Sequence, residues 1–118
     1  MTEKTHFATA WDRVQQAVYE TSVEKGFHDD DVDGYPMFGL RLALIQSELS
    51  EALEAYRSGG FEEASSHGLD CSNVEEELAD AVIRIMDLAE THGMDVVGAL
   101  VQKAEYNKSR PFKHGKKF

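Results

Sequence analysis

The sequence predicts an all-α protein, a bundle of four helices in a single domain spanning residues 1–118. Three observations lead there. Apolar residues recur at helical spacing along nearly the whole chain. Capping residues and glycines punctuate that pattern where helices would start and stop. No run of alternating apolar and polar residues is long enough to argue for a sheet. Hydrophobic residues make up 42% of the 118, which favours a folded core over a disordered chain.

The first helix is expected from about Thr5 to Lys25. Phe7, Trp11, Val14, Val18 and Val23 form its apolar stripe, and Gly26 is its expected C-cap. Trp11 and Phe7 are read as core side chains in preference to stacking platforms. The loop His28-Asp-Asp-Asp-Val-Asp-Gly-Tyr-Pro36 follows. It lacks the glycine and terminal glutamate of a calcium loop, so it reads as solvated. The second helix starts near Pro36, a residue tolerated in a first turn, and runs to about Arg57. Gly59-Gly60 ends it. Residues 59–72 form a small, polar linker with room for a helical turn at 61–65. Asn73 is the expected N-cap of the third helix, with Glu75, Glu76 and Glu77 in the favourable first turn. That helix runs to about His92 and stops at Gly93. Asp95 caps a fourth helix, from about Val96 to Ser109, which Pro111 ends. The tail Arg110–Phe118 is expected to be extended and basic.

The net charge of −10 is unevenly spread. Residues 103–118 hold six basic side chains and one acid, so the remaining body is strongly acidic. Such a body disfavours general binding to a nucleic acid polymer or to an anionic membrane. No stretch approaches the roughly 18 apolar residues of a membrane span. The N-terminus has no apolar segment of the signal-peptide kind. Cys71 is the only cysteine, which excludes an internal disulfide and fits a cytoplasmic setting. It has no neighbouring base in sequence that would make it a nucleophile.

The candidate site is a pair of acidic spacings inside apolar helical sequence. Glu48-Leu-Ser-Glu51 lies in the second helix and Glu77-Leu-Ala-Asp80 in the third. Residues at i and i+3 share a helix face, so each pair aims two carboxylates the same way. Carboxylates in apolar surroundings need a partner. The partner that suits four converging carboxylates is a hard divalent cation, Mg2+ or alternatively Mn2+. One such pair is weak evidence against a solvated acidic face; two on consecutive helices favour a metal site. Asp87 continues the face and is expected to pair with Arg84 or Arg41. The fourth helix places Lys103, Tyr106, Asn107 and Arg110 in one sector, a row suited to an anion such as a phosphate chain. Cations placed for the helix dipole would give the same row.

Taken in order, Glu48-x-x-Glu51, Glu77-x-x-Asp80, Lys103-x-x-Tyr-Asn107-x-x-Arg110-Pro and His114-Gly-Lys resemble the MazG-like family of all-α nucleoside triphosphate pyrophosphohydrolases. The likeness runs from about Leu42 to the C-terminus and is nearest to short, single-domain members of phage or mobile-element type. It implies Mg2+-dependent hydrolysis of (deoxy)nucleoside triphosphates to the monophosphate and pyrophosphate by a metal-activated water. It implies Glu48, Glu51, Glu77 and Asp80 as catalytic metal ligands, and Lys103, Asn107 and Arg110 as substrate-binding residues. It also implies a homodimer or homotetramer, and leaves His114 to close over the substrate or to dock the tail. The alternative is a non-catalytic helical oligomerisation or nucleotide-binding module. A ferritin-like di-iron bundle needs Glu-x-x-His pairs on its helices. The one such pair, Glu3-Lys-Thr-His6, sits at the N-terminus, so that class is rejected.

Overall fold

The computed structural model describes residues 5–32 and 34–117. Four α-helices follow in chain order: α1 (His6–Glu24), α2 (Tyr35–Gly59), α3 (Asn73–Thr91) and α4 (Val96–Lys108). A 3-10 turn at Phe112–Gly115 comes after them. The all-α, four-helix expectation holds.

Local chemistry sets the ends. The Thr5 hydroxyl accepts the Ala8 N–H and starts α1. At its far end the Gly26 N–H reaches the Val23 carbonyl and the Phe27 N–H reaches the Ser22 carbonyl. This double closure needs a residue with φ in the left-handed region, and Gly26 supplies φ 88°. Gly93, at φ 65°, closes α3 in the same way, with Met94 bonded back to Ala89.

The start of α3 differs from expectation. Ser72, not Asn73, is the N-cap: its hydroxyl accepts the Glu75 N–H, and the Glu75 carboxylate accepts the Ser72 N–H. Asn73 turns outward instead, its Oδ1 accepting the Ser66 N–H at 3.0 Å. Replacing Ser72 by Ala should therefore cost about 1 kcal/mol, read as a lower urea midpoint at unchanged slope.

The linker of residues 60–72 carries no helical turn at 61–65. It folds back on itself, with Ala64 facing Ser72 in an isolated antiparallel bridge. Ser65 N–H to Cys71 O and Asn73 N–H to Glu63 O pin its two arms together. The tail departs from a simple extended strand as well. Lys113 and His114 adopt φ 55° and 53° within the 3-10 turn.

In packing, α2 and α3 share the longest contact, α1 lies on α3, and α4 rests chiefly against α1. Glu48 meets Arg84, whereas Glu51 meets Glu77, so α2 and α3 run antiparallel. The core is built of Ala8, Ile45, Ala52, Ala81, Met86, Leu88, Ala89 and Val97. Helix α1 is rotated from its predicted face. Phe7, Val14 and Val23 are exposed, while Ala8 and Gln15 are buried. Gln15 tolerates burial because its Oε1 accepts the Trp11 Nε1–H at 3.0 Å. Trp11 is thus half-buried with its polar edge satisfied, and Phe7 leans on it with ring centres 6.0 Å apart.

Candidate functional site

The antiparallel α2–α3 pair brings the acidic spacings together. One carboxylate oxygen from each of Glu48, Glu51 and Glu77 lies within 4.8 Å of the others. Glu48 is buried, Glu77 half-buried and Glu51 exposed. The Glu77 Oε2 atom is buried without a hydrogen-bond partner. Burial, and then the nearby charges of Glu51 and Asp80, push the Glu77 carboxyl above its ordinary range. Asp80 stands outside this trio. Burial and the Glu48 charge raise its carboxyl too, against the opposing pull of Arg84.

Arg84 is the element the sequence reading misplaced. It donates from Nε to Glu48 Oε1 at 2.7 Å, rather than pairing with Asp87. Among the described residues, Arg84 is thus the one cation hydrogen-bonded to the buried Glu48 carboxylate, and none of Glu51, Glu77 and Asp80 hydrogen-bonds to it. Among the described residues, this cluster is the only group of three or more acidic, His or Cys side chains drawn close enough to hold one ion. Oxygen-only donors of this kind suit Mg2+ or Mn2+.

Beside the cluster a cavity of about 360 Å³ opens between α1, α2 and α3. Val18, Phe27, Leu44 and Ile83 make its apolar wall. Glu48 and Asp80 stand at its acidic side, and Lys25, Arg41 and Arg84 bring cations. The arrangement suits a small amphipathic ligand next to a cation.

The wall includes a network not foreseen from sequence. His28 is not solvated: its side chain is 11% exposed. Its Nε2 lies 3.0 Å from Asp87 Oδ1, and its Nδ1 lies 2.7 Å from Asp31 Oδ2. Ser22 donates to Asp87 at 2.9 Å, and Arg41 reaches both Asp31 and His28. Burial pushes the Asp31 carboxyl up, but hydrogen bonds from Arg41 and His28 outweigh it and hold the group below its ordinary range. Asp87 thus binds His28 and Ser22, not the expected Arg41 or Arg84. The signal available in sequence was a histidine two residues after a helix-ending glycine, too common a pattern to stand out. The expected acidic loop also included Asp33, which lies outside the described residues.

Lys103, Asn107 and Arg110 are not brought to the acidic cluster. None lines the cavity, and among the described residues no hydrogen bond or ion pair joins them to Glu48, Glu51, Glu77 or Asp80. The Lys103 Nζ and the Arg110 guanidinium instead lie 4.6 and 5.6 Å from the centre of the Tyr106 ring. His114 lies in the tail turn and is exposed.

Compared with known proteins, the chain matches a family model over residues 30–103: the AraC-type transcriptional regulator N-terminus. No curated protein matches, and no solved structure matches. The family match overturns the resemblance to MazG-like pyrophosphohydrolases and all that rested on it. Nucleoside triphosphate hydrolysis and the hydrolase class fall with it. So do the nucleotide substrate, the exclusion of nucleic acid among partners, and the oligomer that the resemblance implied. The physical reason is that spaced carboxylates and a cationic row report charge geometry, which a binding domain and a hydrolase can share. Among the described residues, no helix is long and apolar enough to cross a membrane.

Proposed function

Because the chain belongs to the family of AraC-type transcriptional regulator N-termini, we propose that it is a regulatory, ligand-binding module whose signal includes a divalent cation, Mg2+ or Mn2+. Glu48, Glu51 and Glu77 hold the ion, and Asp80 adds negative charge on the cavity side. The observation that carries this reading is the trio of carboxylates converging within 4.8 Å around a buried, unpartnered Glu77 oxygen. Ordinary solvated acids spread apart; these are held together by the packing of two helices. A cation would relieve their repulsion and satisfy the orphaned oxygen. The adjoining cavity leaves room for a small effector beside the ion. A cytoplasmic setting, where Mg2+ is plentiful and Cys71 stays reduced, suits this role.

Calorimetric titration with MgCl2 and MnCl2 tests it. At a pH within the raised range of Glu77 and Asp80, binding should release protons, because both hold theirs more tightly than free carboxyls do. The measured heat should therefore change with the ionisation enthalpy of the buffer. Affinity should fall as pH is lowered through the raised range of these two groups. Absence of any heat or thermal shift with either ion at millimolar concentration would overturn the reading.

A further inference from the structure

The C-terminal segment takes no part in the acidic cluster, and its charge is unbalanced. Residues 103–118 hold six basic side chains and one acid, a net of +5, so with −10 overall the rest of the chain carries −15. A tail that only offset the body's charge would fold onto it. Among the described residues, the one ion pair of this segment is internal, Lys108 to Glu105 at 3.1 Å. Lys103, Arg110, Lys113, Lys116 and Lys117 meet no carboxylate of the body among the described residues.

The partners of these cations are aromatic rings. Lys103 and Arg110 sit over Tyr106, and the Lys113 Nζ lies 5.8 Å from the centre of the Phe112 ring. Both rings are open to solvent, Tyr106 at 56% and Phe112 at 88% exposure. A phenylalanine this exposed gives the core almost nothing. The backbone turns directly after it, with Lys113 and His114 at φ 55° and 53°, and the Lys113 Nζ donates to the Lys117 carbonyl at 3.3 Å. Cations and bare rings thus alternate along the end of α4 and the turn that follows.

We propose that residues 103–117 form a contact surface for single-stranded nucleic acid. The cations serve its phosphates, and the rings stack on its unpaired bases. Shape decides against a small anion. The segment lines none of the three principal cavities, and an open row fits a chain of phosphates better than a single ligand. Composition decides against a bilayer, because Lys103 to Lys117 includes no Leu, Ile, Val or Met to sink into it. The rings decide against a duplex, whose bases are already stacked on one another. The acidic body repels a strand elsewhere, which confines the contact to on the order of four nucleotides at this end. The proposal stands on this segment alone and is independent of the cation reading.

Fluorescence anisotropy tests it, with a labelled oligothymidylate of about twelve nucleotides titrated with the full chain at roughly 50 mM salt. Binding should saturate in the micromolar range. The slope of log K against log salt should lie near roughly −3, about −0.7 for each of some four phosphates. Phe112→Ala should weaken binding about tenfold at unchanged slope. The triple variant Lys113→Gln/Lys116→Gln/Lys117→Gln should flatten the slope by about two. All four positions are exposed, so both variants should keep the wild-type thermal midpoint. A duplex of the same length, and vesicles rich in phosphatidylserine, should bind about tenfold more weakly or less. No anisotropy change at about 100 µM protein overturns the proposal. So does equal affinity for the duplex, binding of the vesicles in place of the oligonucleotide, or displacement by inorganic tripolyphosphate at equal phosphate concentration. A Phe112→Ala variant that binds like the wild type is equally fatal to it.

Discussion

Replacing Arg84 by Met should lower stability by about 2 kcal/mol, or roughly 8 °C in thermal midpoint, when measured in EDTA. Among the described residues, the guanidinium is the one cation that the buried Glu48 carboxylate holds, at 2.7 Å. Removing it leaves a charge in a place that is 10% exposed. Fully buried pairs lose more when broken, but the Arg84 side chain is 36% exposed and solvent already screens it. Two controls separate this cause from lost packing. In a Glu48→Gln background the Arg84→Met change should cost far less, because no buried charge is stranded. With saturating Mg2+ the loss should shrink as well, since the ion replaces the missing positive charge. A loss of equal size in all three conditions would show that the Arg84 stem, not its charge, supports the fold.

The opposite sign is expected at Glu77. Glu77→Gln should raise the thermal midpoint of the cation-free protein by about 4 °C, the equivalent of about 1 kcal/mol. The same change should weaken Mg2+ binding at least tenfold in the calorimeter. Neutralising one of three crowded carboxylates relieves repulsion and removes a ligand at once. The pH dependence follows from the raised carboxyl. Its pKa is higher in the folded chain than in the unfolded one. Wild-type Glu77 therefore penalises folding at pH values above its folded pKa. That penalty fades as pH falls to the unfolded value and the group becomes neutral in both states. The advantage of Glu77→Gln should accordingly be full at neutral pH and absent near pH 4. An advantage that persists unchanged into acid would mean that Glu77 acts through packing.

These effects were unequally legible in the sequence. The i, i+3 spacing placed Glu48 with Glu51, and Glu77 with Asp80, because helical geometry fixes those neighbours. The approach of Glu51 to Glu77 needed only that consecutive helices pack antiparallel. The partner of Glu48 was hidden, because Arg84 offers equal reach to Asp80, Asp87 and Glu48. Burial chose among them. The rotation of α1 was hidden for a related reason. Phe7, Val14 and Val23 looked like a core stripe, yet Gln15 is buried in their place, satisfied by Trp11. His28 was unreadable because, beyond nearby Asp31, its partners Asp87 and Arg41 lie 59 residues away on α3 and 13 away on α2. Lys103 and Asn107 lie on α4 as expected, but Arg110 falls beyond its end at Lys108, and the direction in which α4 leaves α3 is set by a short turn at Gly93 that periodicity does not describe.

The doubled-back linker between α2 and α3 has a consequence for the order of assembly. Its arms are already bonded to each other, so the two helices it joins are separated by a short closed path rather than a floppy tether. Contacts across such a path form with little loss of chain freedom and tend to appear early. All four acids of the candidate site belong to this hairpin, whereas the cavity beside them also needs α1, from a distant part of the chain. On the proposed reading, an ion would find its ligands before the cavity has a third wall, which would make its capture an event of folding as much as of signalling.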